Sequence, residues 1–150
     1  MHTVADNAYI AYRSIRGRLA HTLWPPELDP LAALLVRKIW TNGSSIGIEL
    51  LRIELALPKS TLSSALRRLE DRGYVRRFPN IIDARYVDAA LTTSGQRVAA
   101  AMTDLIDDLE IDVHEVAGGQ ARYGFDRVAS ALVAMDEEGE AYAPLAEPVD

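Results

Sequence analysis

The chain is expected to be mainly α-helical with one small β-hairpin, and three observations lead there. Apolar residues recur at i, i+3, i+4 and i+7 over most of the 150 residues. Between Gly73 and Leu91 that period gives way to an alternation of two. Helix breakers stand at the joints, at Pro25-Pro26, Gly43, Pro58, Gly73 and Gly118-Gly119. With 49% hydrophobic residues, this length suffices for a single domain with a real core.

Residues 4–23 place Val4, Ala8, Tyr12, Ile15 and Leu19 on one stripe of a first helix, ended by Trp24-Pro25-Pro26. Tyr9 and Ile10 widen its apolar surface beyond what one small domain covers. Asp29 caps the next helix with Pro30 in its first turn. Leu31, Leu34, Leu35 and Ile39 form that helix's buried stripe before Thr41-Asn42-Gly43 turns the chain. Ile46, Leu50, Ile53 and Leu57 mark a third helix, and Pro58 opens the fourth almost at once. So tight a connection is what a helix-turn-helix requires.

The fourth helix carries Leu62, Ala65, Leu66 and Leu69 on its core side, and Gly73 stops it as a left-handed cap. Its opposite stripe is Ser60, Ser64 and Arg67, flanked by Ser63 and Arg68 and preceded by Lys59. Small hydroxyls allow close approach to base edges and phosphates, and an Arg fork matches guanine O6 and N7, so this face suits a major groove. Tyr74–Phe78 is expected to pair with Arg85–Leu91 across the turn 79–84, giving a wing with Arg76, Arg77 and Arg85 at its base and near its tip. A narrow minor groove attracts such cations. Asp83 is not suited to contact DNA and is expected to brace the wing by pairing with Arg77 or Arg85. The plainer alternative is an amphipathic helix and hairpin whose Arg residues only solvate the surface.

Thr92 is expected to cap a long helix holding Val98, Met102, Leu105, Leu109 and Val116 at helical spacing. Asp104, Asp107, Asp108, Asp112 and Glu115 form an acidic stripe on it, read as a solvated face rather than a metal or catalytic cluster. Gly118-Gly119 interrupts the chain, and Ala121, Phe125, Val128, Leu132 and Met135 mark a final helix. Residues 139–150 are acidic and contain two prolines, which reads as a flexible tail.

The stretch LPKSTLSSALRRLEDRGYVRRFPNIIDARYVDAALTTSGQRV resembles the core of the MarR family, the multiple-antibiotic-resistance type of winged-helix regulators. Leu69-Glu70, Gly73-Tyr74-Val75, Arg77, Pro79-Asn80, Asp83-Ala84-Arg85 and Leu91-Thr92 with Gly95 stand at that family's spacing, across about a third of the chain. The resemblance implies a winged helix-turn-helix lobe at 29–92. Dimerisation helices at 1–24 and 94–138 would complete a single domain over 1–138. It further implies a homodimer whose recognition helices enter successive major grooves, with Arg85 in the minor groove and Asp83 bracing the wing. Two features depart from the pattern: Ile81 and Ile82 make the wing tip apolar, and Gly47 opens a helix where Thr or Ser is more usual.

Charge is divided unevenly. Residues 1–58 carry six basic and five acidic side chains, 59–97 eight and four, and 98–150 two and thirteen. The net charge of -6 is therefore no objection to a nucleic-acid partner, because the proposed reading unit alone is +4. Zero Cys excludes disulfides and thiolate metal sites and fits a cytoplasmic location. The first 21 residues hold no long apolar run, so neither a signal peptide nor a membrane span is expected.

No nucleophile elbow, phosphate-cradling loop or HExxH occurs, and His2, His21 and His114 are far apart in sequence. No enzyme activity, cofactor or metal is expected, a zinc site shared by these histidines across a dimer being the weaker alternative. The expected function is a homodimeric, sequence-specific transcription regulator, a repressor on an inverted-repeat operator in double-stranded DNA. By the resemblance, a small-molecule effector releases it, with Tyr9, Tyr12, His21, Trp24 and Trp40 as candidate liners of the effector site. A winged-helix module that holds a protein with the same face is the alternative.

Overall fold

The computed structural model describes residues 1–22 and 28–138, and for 19–22 and 136–138 the backbone alone. In order it contains α1 (Val4–Thr22), α2 (Pro30–Thr41), β1 (Ser45–Gly47), α3 (Ile48–Glu54), α4 (Lys59–Asp71), β2 (Val75–Pro79), β3 (Val87–Leu91) and α5 (Thr93–Glu138). Contacts divide the chain into one compact unit over Met1–Asp107 and a second from Asp108 onward. The expected mainly helical fold with a small wing is what forms. The expected tail and the Trp24 position lie outside the described residues, as do the side chains of Leu19 and His21.

Three helices of the first unit end in the same way. At Asn42-Gly43-Ser44, Leu55-Ala56-Leu57 and Arg72-Gly73-Tyr74, the last two backbone N–H groups turn back to carbonyls of the final helical turn. Gly43 N donates to Trp40 O and Ser44 N to Ile39 O, at 3.1 and 2.9 Å. Ala56 N and Leu57 N reach Ile53 O and Arg52 O at 3.1 and 3.0 Å, and Gly73 N and Tyr74 N reach Glu70 O and Leu69 O at 2.8 and 3.0 Å. This closure satisfies orphan carbonyls and requires a left-handed residue at its centre. Gly43 and Gly73 supply it at φ +82 and +74, while Ala56 adopts φ +50. Ala56 thus makes the sharp turn between α3 and α4 without a glycine.

Helix starts follow the expected chemistry. The Asp29 carboxylate accepts from Ala32 N at 2.7 Å and caps α2. Thr92 Oγ1 accepts from Gly95 N at 3.0 Å and caps α5, while Thr92 also donates through that hydroxyl to Gly73 O. Gly47 is the N-cap of α3 and offers it no side-chain bond.

The core gathers Leu35, Val36 and Ile39 of α2, Leu51 of α3, Leu62, Leu66 and Leu69 of α4, and Ala99 and Met102 of α5. Among the described residues, no polar or charged side chain is buried in it. Each fully buried Leu or Ile removes from water surface worth about 1.5–3 kcal/mol.

Four details differ from expectation. Ile46 lies in a strand, not in the third helix, and is buried there. With α3 starting only at Ile48, its inward residue is Leu51, and Leu50 and Ile53 are 47% and 60% exposed. Likewise α2 turns Ala32, Ala33 and Val36 inward and leaves Leu34 exposed. The wing belongs to a three-stranded antiparallel sheet of order β1-β3-β2, rather than a two-stranded hairpin. Ile46 opposes Ala89, which in turn opposes Arg77 across the second ladder. As the central strand, β3 buries Ala89, Ala90 and Leu91 consecutively instead of alternating.

In the second unit, α5 continues past Asp108 and is interrupted at Gly118, whose φ of 75 and ψ of 165 are not helical, at the expected break. Its apolar residues Val116, Tyr123, Phe125, Leu132 and Met135 are exposed.

Candidate nucleic-acid interface

The outward face of α4 is built by the same periodicity that buries its leucines. Lys59, Ser60, Ser64, Arg67 and Arg68 are exposed and Ser63 is half-buried. Among the described residues, no carboxylate lies within ion-pair distance of Arg67. Arg68 leans toward Asp29, with Nη2 at 3.4 Å from Oδ2, so its charge faces the start of α2.

The wing is joined to this helix through a pair that sequence reasoning missed. Arg77 donates from Nε to Glu70 Oε1 at 2.9 Å and from Nη2 to Oε2 at 2.6 Å, and its backbone N–H reaches the same carboxylate at 3.2 Å. Both side chains are less than a third exposed. The turn at Gly73 folds the strand back on the helix, bringing residues seven apart together; a Glu and an Arg flanking a helix-stop glycine was the available signal. Arg77 therefore anchors the wing to α4.

Of the two partners expected for Asp83, the structure selects Arg85. Arg85 donates from Nε to Asp83 Oδ1 at 3.0 Å and from Nη2 to Oδ2 at 2.6 Å, and its backbone N–H adds a bond at 3.1 Å. The side-chain bond from Arg85, followed by the backbone one, holds the Asp83 carboxyl below its ordinary range. Arg85 itself is 84% exposed, and among the described residues nothing accepts from its other terminal nitrogen. Arg76 lies over the Phe78 ring at 5.2 Å, which fixes a second cation on the wing.

Three of the candidate effector residues have described side chains. Tyr9 and Tyr12 are exposed, Trp40 is half-buried against the core, and His21 and Trp24 lie outside the side chains described. An open cleft of about 770 Å³ lies between the Asn42–Ser45 turn, the start of α3 and the wing at Arg85–Asp88. Of the acidic stripe, Asp107 is tied to Arg37 at 2.8 Å. Among the described residues, no three His, Asp or Glu side chains form a metal-holding group, and no helix is long and apolar enough to cross a membrane.

Glu70 gives a pH test of the anchor. The hydrogen bond from Arg77 lowers its pKa below the ordinary 4.5. Its stabilisation is then fully present above about pH 4.5 and lost as pH falls through the lower folded value. Glu70→Gln is expected to cost about 1 kcal/mol at pH 7. The difference in Tm from the parent chain should shrink toward zero on acidification; a pH-independent difference would assign the loss to packing.

No protein-family model matches this chain. Over 99 residues it is 28% identical to YwhA of Bacillus subtilis (strain 168), an uncharacterised HTH-type transcriptional regulator, the match covering 66% of this chain and 70% of YwhA. Among solved structures it is similar to MepR of S. aureus in a DNA complex, with a TM-score of 0.75, 15% identity, and 90% and 99% of the two chains covered. A MarR variant from E. coli complexed with operator DNA gives a TM-score of 0.68 at 19% identity, covering 86% and 92%. Reduced AbfR bound to DNA gives 0.68 at 22%, covering 87% and 90%. The class defined is thus a winged helix-turn-helix fold. More closely, the fold is that of MarR and its structural relatives, and the resemblance drawn from the motif at 57–98 stands.

Proposed function

We propose that this protein is a DNA-binding transcription regulator that works as a homodimer on an inverted-repeat operator in double-stranded DNA. The observation that carries the reading is a single basic and hydroxylic surface: the exposed Ser60, Ser64 and Arg67 of α4, joined through Glu70–Arg77 to a wing that holds out Arg85. In this reading α4 lies in the major groove, with Arg67 reading a guanine and Lys59, Ser60, Ser63, Ser64 and Arg68 placed for bases and phosphates. Arg85 enters the adjacent minor groove with Asp83 fixing its aim, and Arg77 adds charge while anchoring the wing. Relatives of the same fold that are solved with DNA support it.

Dimerisation is supported by apolar surface that a single chain leaves open. Val4, Tyr9, Ile10, Tyr12 and Ile15 of α1 are all exposed, as are Val116, Phe125 and Leu132 in the second unit. Several large apolar side chains exposed along one helix mark an association face. In this reading helices 1–24 and 94–138 form the dimer platform and 29–92 the DNA-binding lobe. Repression follows if the operator overlaps a promoter, and a cytoplasmic location follows from the DNA partner. A small-molecule effector, met by Tyr9, Tyr12, His21, Trp24 or Trp40, would release the protein only by binding its DNA-competent and DNA-incompetent states unequally. No catalytic step is assigned to any residue.

The alternative, a module that holds a protein with the same face, is favoured by one observation, the apolar wing tip. Fluorescence anisotropy with a duplex from upstream of the protein's own coding sequence and a scrambled duplex of equal length separates the two. A regulator binds the first duplex at least about a thousandfold more tightly; equal absence of binding to both at low salt, with the protein folded and dimeric, would move the function to the protein-holding module.

A further inference from the structure

At the wing tip Ile81 and Ile82 are 93% and 95% exposed, two adjacent branched side chains held almost wholly in water. A loose hairpin end would fold such residues back on the sheet. This one is pinned outward. The Asn80 side-chain carbonyl accepts from Ile82 N at 2.9 Å and Asp83 N at 3.0 Å, and its amide donates to Asp88 at 2.8 Å. Asn80 N to Tyr86 O and Tyr86 N to Asp83 O close the loop at 2.9 and 3.0 Å. Fixing an apolar pair in solvent carries a standing cost in the free protein, which is recovered only when a partner covers it.

The surroundings name the partner's chemistry. Arg85, three residues after Ile82, is 84% exposed and brings a cation to this end of the wing, which suits an anionic partner. Through Arg77 and Glu70 the tip is fixed to the helix whose exposed stripe carries Ser60, Ser64 and Arg67. A minor groove combines phosphates at its rims with apolar deoxyribose walls and stacked bases at its floor. Isoleucine is stiff at χ1 and loses little freedom on insertion.

Resting on the DNA-binding reading above, we infer that Ile81 and Ile82 form an apolar wedge that enters the minor groove beside Arg85 and partly opens a base step there. Such a wedge bends the duplex and favours flexible pyrimidine–purine steps at positions that no side chain reads by hydrogen bonding. The tip thereby adds specificity through deformability, while Arg85 supplies the charge.

The test uses the full chain and its Ile81→Ser/Ile82→Ser variant on an end-labelled duplex carrying the bound sequence. Energy transfer between the ends reports bending, and anisotropy reports affinity. Both side chains lie in solvent, so the variant should keep the parent's melting temperature. The parent is expected to raise energy transfer. The variant should lose that rise and bind about tenfold or more weakly, with the slope of log K against log salt unchanged because no cation is removed. Replacing a TA step under the wing with a GC step should weaken the parent and leave the variant indifferent. Equal affinity and equal energy transfer for the two proteins would overturn the wedge while leaving the DNA-binding reading intact. Binding of DNA by neither protein would overturn both.

Discussion

Gly95→Ala is expected to lower the melting temperature of this chain by roughly 6–12 °C, the equivalent of about 3 kcal/mol. A Cβ at Gly95 would lie 1.9 Å from the carbonyl oxygen of Tyr74 and 2.8 Å from its carbon. Both are backbone atoms, so no side-chain rotation relieves the overlap. Nor is the carbonyl free to retreat, because it accepts from Thr92 N at 3.0 Å, and Thr92 is the residue that caps α5 and holds Gly73. Opening this contact loosens the end of α4, the start of β2 and the first turn of α5 together. Thermal unfolding followed by circular dichroism reads the effect directly. A shift under about 2 °C would mean that the backbone relaxes at this junction with little loss.

Arg85→Ala and Arg67→Ala are expected to have the largest effects on binding, and in different ways. Arg85 is paired with Asp83 in an exposed bond that adds little to folding. Its removal should leave the melting temperature unchanged and weaken all duplexes about tenfold or more, lowering the salt slope by about one for each protomer. Loss of helical signal instead would give Arg85 a structural role. Arg67 has no ion-pair partner among the described residues and stands on the stripe with Ser60 and Ser64. Losing a bidentate base contact should cost about 1–3 kcal/mol on the preferred site and relax one base position. Uniform weakening across all sequences would reassign Arg67 to a phosphate.

Features set by neighbours in sequence were legible before the structure. The leucine stripe of α4, the left-handed Gly73, the caps at Asp29 and Thr92 and the break at Gly118 each depend on a few residues around them. So did the exposure of Ser60, Ser64 and Arg67, because the stripe opposite a buried one must face outward. What escaped depends on distant partners. Ser45–Gly47 is too short for its own alternation to show, and it becomes a strand only because β3, more than forty residues later, accepts it. Mistaking Ile46 for helix then shifted the inward face of α3 from Leu51 to Leu50 and Ile53. Glu70 was read only as part of a motif, since its role arises when the chain turns at Gly73 and meets Arg77. Ile81 and Ile82 were visible as a departure in composition, but the pinned outward geometry that gives them meaning is tertiary.

The most direct measurement is the salt dependence of binding, titrated by fluorescence anisotropy with the purified full chain and the two duplexes. A dimer that neutralises about eight phosphates through α4 and the wing should give a slope of log K against log salt near -7 on both, with tighter binding to the upstream sequence throughout. A slope near zero, or no binding at low salt by a folded dimer, would contradict a DNA-reading surface at Arg67 and Arg85.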